Sequence, residues 1–387
     1  MSSPSEPAIQ PSEKKVATPV PAPDRRRADV DAKQAQVAAL LAEIECEALI
    51  LLEPENFSWI TSGGSLRNIL DPALVPGVYV SPDVRSMLAS NLDSHRLFDE
   101  ELDGLGFQLK EWNWTWGREQ LVSYLCRGRR FACDLGRPDC KFVGEQVHKL
   151  RMVISDYELT VYQRLGQFLS HALEATCRTL QPKQTEQEIA GHLAHRVMKH
   201  GPELVSAEVT ADDRLRLHRR PGYSPAVVNK HCVLTATARL YGLHATASRA
   251  VCFGEPDPNF RKEHDAACKV TTSYISSTWP DAIPSALLQA GRRVCQINGY
   301  EHEWRLSPPG FVTGRTPVEQ FLTPQMQENL RPGWPITWRA NVGAASSCDT
   351  FVVTAKGPMM LTAPGNWPKK RIKIGAAYHD RPDILQR

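Results

Sequence analysis

Leu234-Thr235-Ala236-Thr237-Ala238-Arg239-Leu240-Tyr241-Gly242-Leu243-His244-Ala245-Thr246-Ala247-Ser248-Arg249 reads as two strands joined at the Tyr241-Gly242 turn, and Cys252-Phe253-Gly254 closes the unit. Two hydroxyls, Thr235 and Thr246, stand eleven residues apart in it. Both the fold and the chemistry turn on those two positions.

Upstream, Ser155-Asp156-Tyr157-Glu158 has the Ser-x-x-Glu form of a capping box at the head of an apolar-periodic run. Leu159, Tyr162, Leu165, Leu169, Leu173 and Cys177 step by three or four, which predicts a long helix that Leu180-Gln181-Pro182 stops. Thr185-Glu186-Gln187-Glu188 opens a second helix through Ile189, Leu193 and Val197 to Gly201, with His192 and His195 on its solvent face. Two helices therefore precede the strand pair.

Further back, Val37, Leu40, Leu41 and Ile44 predict an amphipathic helix from Asp31, and Ala48-Leu49-Ile50-Leu51-Leu52 a buried strand. Glu53-Pro54 and Gly63-Gly64 punctuate the stretch after that strand. The proline-rich leader, residues 1–30, has few large apolar residues and no hydrophobic signal core, so disorder is expected there.

A chain of 387 residues with 42% hydrophobic content buries a sizeable core. Its net charge of +3 is too mild to imply nucleic acid, despite basic runs at 25–27, 127–130 and 369–371. Ten scattered cysteines without a C-x-x-C pair read as free thiols in a reducing compartment. No run approaches the roughly 18 apolar residues of a membrane helix, so a cytoplasmic protein with no membrane partner is expected.

The helix, the strand and then Asn56-Phe57-Ser58-Trp59-Ile60-Thr61-Ser62-Gly63 resemble the N-terminal domain of the creatinase and aminopeptidase P family. The helix pair leading into the strands resembles that family's catalytic pita-bread domain over roughly residues 150–365. The resemblance implies an α/β (α+β) chain: a leader at 1–30, a creatinase-like α/β domain at 31–149, a pita-bread domain with a curved antiparallel sheet and flanking helices at 150–375, and a tail at 376–387. It also implies a homodimer.

In metal-dependent relatives, two aspartates, a histidine and two glutamates hold a pair of divalent ions that activate water. Onto the aspartate positions fall Thr235 and Thr246, neutral alcohols that are poor ligands for hard cations. The histidine turn matches Trp304-Arg305-Leu306-Ser307-Pro308-Pro309-Gly310-Phe311, which lacks histidine. In Pro332-Gly333-Trp334-Pro335-Ile336-Thr337-Trp338-Arg339, Arg339 takes a glutamate's place, and Cys348 of Ser347-Cys348-Asp349 takes the other.

The replacements are mutually consistent. Carboxylates crowded around an empty site repel by about 4 kcal/mol per close pair at an effective dielectric of about 20, and a fixed guanidinium repels a dication. The reading therefore assigns no metal and no cofactor. One position survives: His218, seventeen residues before Thr235 in Leu217-His218-Arg219-Arg220-Pro221, matches a histidine that assists proton transfer in the peptidases and is thought to be the acid/base of metal-free creatinase.

The resemblance implies three functions. The first is a degenerate Xaa-Pro aminopeptidase, a pseudoenzyme whose old cleft takes a small anionic ligand or peptide through Arg339, His218 and the threonines. The second is a metal-independent C–N hydrolase using His218. The third is a macromolecular binding module on the same scaffold.

Overall fold

In the computed structural model, residues 23–387 are described, and the leader before Pro23 lies outside the described residues. The strands His231–Leu240 and Leu243–Cys252 form the expected hairpin, with Thr235 opposite Ser248 and Thr237 opposite Thr246. Its two-residue turn places Tyr241 and Gly242 at φ 47° and 75°, the left-handed pair that matches strand twist.

Strand alternation sorts the hairpin's residues by face. Leu234, Ala236, Ala238, Ala245 and Ala247 join the core under the helices Asp156–Thr179 and Glu186–Met198, whose first turns carry both predicted capping boxes. Thr235, Thr237, Thr246 and Ser248 share the opposite face. Methyl-sized alanines let the long helix lie close on the sheet.

Glu203–Ala211 flanks the hairpin on one side and Ile384–Gln386 on the other, giving a four-stranded sheet. A five-stranded sheet, ordered Gln320–Phe321, Gly310–Val312, Pro335–Val342, Ala345–Thr354 and Gly357–Met360, lies beside it. Side-chain hydroxyls join the two sheets. Thr350 Oγ1 accepts from the Thr246 N–H and donates to the Thr246 carbonyl, both at 2.9 Å, and Ser248 Oγ accepts from the Cys348 N–H at 2.8 Å. Helices Pro258–Ser276 and Pro284–Ile297 cover the second sheet through a core that includes Tyr274 and Trp338, stacked at 4.8 Å.

The N-terminal region builds a six-stranded mixed sheet in which Ala48–Leu51 is central. Two sequence expectations, on the start of the first helix and on the tail, are corrected. The first helix begins at Pro23 rather than Asp31, so residues 23–30 are ordered and Val30 is part of the core. The punctuated stretch after the strand is the helix Pro54–Ile60, which proline tolerates in its first turn. The expected tail at 376–387 belongs to the fold: Ala377–Pro382 pairs with Lys369–Ile374, Ile384–Gln386 completes the four-stranded sheet, and buried Arg381 meets Asp349 at 2.6 Å.

A buried polar joint fastens the two regions. Lys33 Nζ lies 2.7 Å from Asp29 and 2.8 Å from Glu158, and Glu158 also pairs with Arg315. Arg315 in turn donates to Ser58 Oγ at 3.1 Å and to the Tyr241 carbonyl at 2.5 Å. Burial alone would raise the Glu158 carboxyl, but the Lys33 and Arg315 charges hold it down to about 2. Alongside, Arg151 donates to Asn56 at 2.5 Å and to Glu319 at 2.9 Å. Burial would raise Glu319 as well, but hydrogen bonds from His148 and Arg151 hold it at about 2. No helix among the described residues is long and apolar enough to cross a membrane.

Candidate functional site

The strand registers bring three of the substituted positions, Thr235, Arg339 and Cys348, into one ring. Thr235 lies between Ser248 on one neighbouring strand and Glu208 on the other. Arg339 is the cross-strand partner of Cys348, whose N–H donates to Ser248. Glu208 closes the ring, because Arg339 grips its carboxylate with both terminal nitrogens, one of them at 2.8 Å.

Of that ring, Glu208 and Arg339 line a cleft of about 210 Å³, and Thr246 lines it beside them. Thr246 and Thr237 exchange a hydrogen bond at 2.9 Å on its polar side. Phe311 and Phe321, in an edge-to-face pair with centroids 6.3 Å apart, form its apolar wall together with Pro308, Pro317 and Val318. Ser307 and Pro308, from the turn without histidine, both line it.

The charges of the floor are already matched. Burial alone would lower the Arg339 guanidinium, but its hydrogen bonds to Glu208 raise it. Burial pushes the Cys348 thiol up to about 12. Two alcohols, a guanidinium and a soft sulfur, beside an acid that is committed to Arg339, do not suit a pair of hard divalent ions. Among the described residues, one group brings three His, Cys, Asp or Glu ligand atoms within 4.8 Å, and it is Cys126, Asp139 and Cys140 in the N-terminal region.

His218 caps the short helix Arg214–Leu217 and is exposed; it is not on the cleft wall. Its neighbours are. Arg219 pairs with Glu303 at 2.5 Å and donates to the Gly343 carbonyl at 2.9 Å, whereas exposed Arg220 makes no ion pair among the described residues. Sequence reasoning missed Glu208, although a signal was present: an arginine predicted inside a sheet needs a carboxylate, and the strand before the hairpin carries Glu208 beside apolar Val209. Phe311 and Phe321 were missed because their pairing depends on strand register rather than on local pattern.

Comparison with known proteins adds two findings. The sequence model of metallopeptidase family M24 matches residues 161–354. Among solved structures, the Xaa-Pro dipeptidase from Bacillus anthracis superposes with a TM-score of 0.74 at 14% identity, covering 92% of this chain and 100% of that one. The X-Pro aminopeptidase from Thermotoga maritima MSB8 gives 0.72 at 17% identity over 86% and 98%. The N-terminal domain of FACT complex subunit SPT16 from Cicer arietinum (chickpea) gives 0.63 at 10% identity over 88% and 96%. No match to this chain is found among curated proteins.

Proposed function

The chain belongs to metallopeptidase family M24, and we propose that it is a member whose dinuclear centre has been replaced by a metal-free recognition cleft. The observation that carries this reading is the two-pronged Arg339–Glu208 pair across the cleft floor. A dication placed there would face a guanidinium that cannot deprotonate, and the one nearby acid would have to abandon its partner.

The cleft's chemistry favours a short peptide or small molecule with two unlike ends. An apolar ring or branched side chain fits against Phe311, Phe321 and Val318, and a carboxylate end suits the unpaired Arg220 at the rim. The paired Thr237 and Thr246 hydroxyls give the floor neutral hydrogen-bonding groups in place of charge.

Two measurements test the reading. Protein purified with cobalt, manganese or zinc is expected to retain well under one equivalent of metal and to leave Xaa-Pro dipeptides uncleaved; two tightly bound equivalents would sink the proposal. The metal-independent hydrolase reading rests on His218 alone. A His218→Ala variant assayed on guanidino and amide substrates without added metal separates it, since metal-free turnover that disappears in the variant would restore an enzyme.

A further inference from the structure

A second and larger cleft, about 630 Å³, opens between the two regions at the turn end of the hairpin, and Pro317 is the one residue that lines both clefts. Its walls come from both sides: Ser58, Arg67 and Glu101 from the N-terminal region, Arg164, Arg239 and Tyr241 from the C-terminal one. The joint that frames it is tight. A Cβ on Gly242 would meet Ser58 Oγ at 1.8 Å, and one on Gly63 would meet the Tyr241 Cβ at 2.5 Å.

The balance of charge in this cleft is unlike that of the first. Arg67, at 2.8 Å, and Arg239 share a single carboxylate, Glu203. Arg315, on the floor and 4% exposed, shares Glu158 with Lys33, and its buried Nε has no acceptor. Of the remaining acids, Glu101 accepts from the Ser65 N–H at 2.9 Å, and Glu55 lies 3.8 Å from Arg151.

Arg164 is the outlier. Its guanidinium carbon lies 5.3 Å from the centre of the Phe168 ring, and that ring stacks on His200 at 5.5 Å. Among the described residues no carboxylate pairs with it, and its buried Nε and Nη1 have no hydrogen-bond acceptor. The neighbouring Thr316 hydroxyl, also buried, has none either. A guanidinium cannot shed its charge, and its planar fork matches the two oxygens of a carboxylate or phosphate.

We propose that this interdomain cleft binds a small oxyanion-bearing molecule, a carboxylate or a phosphate ester, through Arg164, with the Arg67–Glu203–Arg239 triplet on the same wall. Arg164 supplies the cleft wall with a charge that no carboxylate among the described residues neutralises. Because the walls belong to both regions, occupancy also fastens them to each other.

The test is calorimetric titration of the full chain in chloride buffer with inorganic phosphate and, separately, with succinate. Saturable binding of at least one probe is expected, with Arg164→Met weakening it by about tenfold or more, the range for a charged hydrogen bond. Arg164→Lys, which keeps the charge but loses the fork, is expected to fall between the two, and Arg130→Met, which removes an exposed cation elsewhere, to bind like the parent chain. Phosphate alone binding assigns a phosphate ester, and succinate alone a carboxylate. Failure of both probes to saturate, undiminished binding in a folded Arg164→Met protein, or binding lost in Arg220→Met instead would overturn the proposal.

Discussion

The joint between the two regions and the floor of the smaller cleft both bury charge, but they hold it differently. At the joint, Glu158 serves two cations, Lys33 has two acids, and every member is nearly sealed from solvent. At the cleft floor a single pair, Arg339 and Glu208, stands among threonine and serine hydroxyls with part of each side chain still exposed. The joint ties together parts of the chain that are far apart in sequence, and its charges are structural. The cleft floor lies on a sheet whose register is set from its other face, by Leu234, Ala236 and Ala247 packed under a helix. Its polar residues can therefore change character while the backbone frame persists.

Four measurements put that contrast at risk. Glu158→Leu leaves Lys33 and Arg315 buried without their shared acid, and a loss of about 3–5 kcal/mol is expected in urea unfolding. A loss below about 1 kcal/mol would remove the joint's structural role. Next is acid sensitivity. Glu158 and Glu319 are both held at about 2 when folded, below an unfolded carboxyl near 4.3, so the unfolded chain binds the extra protons. Their contribution, about 3 kcal/mol each at most, is complete above roughly pH 5 and disappears as the pH falls toward 2. Unfolding midpoints measured across that window are expected to decline less steeply in Glu319→Gln than in the parent chain.

Smaller effects are expected at the cleft floor. Arg339→Met strands Glu208, at a cost of about 2 kcal/mol given its partial exposure, and the double variant Glu208→Gln/Arg339→Met is expected to recover most of it. A double variant less stable than Arg339→Met would mean that Glu208 has a further partner. Thr237→Val removes one hydroxyl from the Thr237–Thr246 pair, and about 1 kcal/mol or less is expected in the same assay.

The legible parts of this molecule are those encoded over a few residues. The Tyr241-Gly242 turn and the capping boxes at Ser155 and Thr185 depend only on their immediate neighbours, and each forms as read. Glu158 shows the limit. Its capping role is local and legible, whereas its pairing with Lys33 and Arg315 joins three distant segments and leaves no local trace. Ile384–Gln386 is similarly silent, because a three-residue edge strand has no period to read and gains its identity from Leu243–Cys252 beside it. Thr235, Arg339 and Cys348 are legible from sequence and meet in one ring, but which carboxylate completes it, Glu208, is fixed by the register of the flanking strand.

The hairpin's tip has a mechanical consequence. Tyr241 and Gly242 are seated against Ser58 and Gly63, so the two long strands behind them form a rod held in a bearing that the N-terminal region provides. Thr237 lies four residues from that bearing, about 13 Å along an extended strand. Were one region to rock against the other, the displacement would enter the two strands that carry the hydroxyls lining the smaller cleft, and a molecule wedged beside the bearing would brake it.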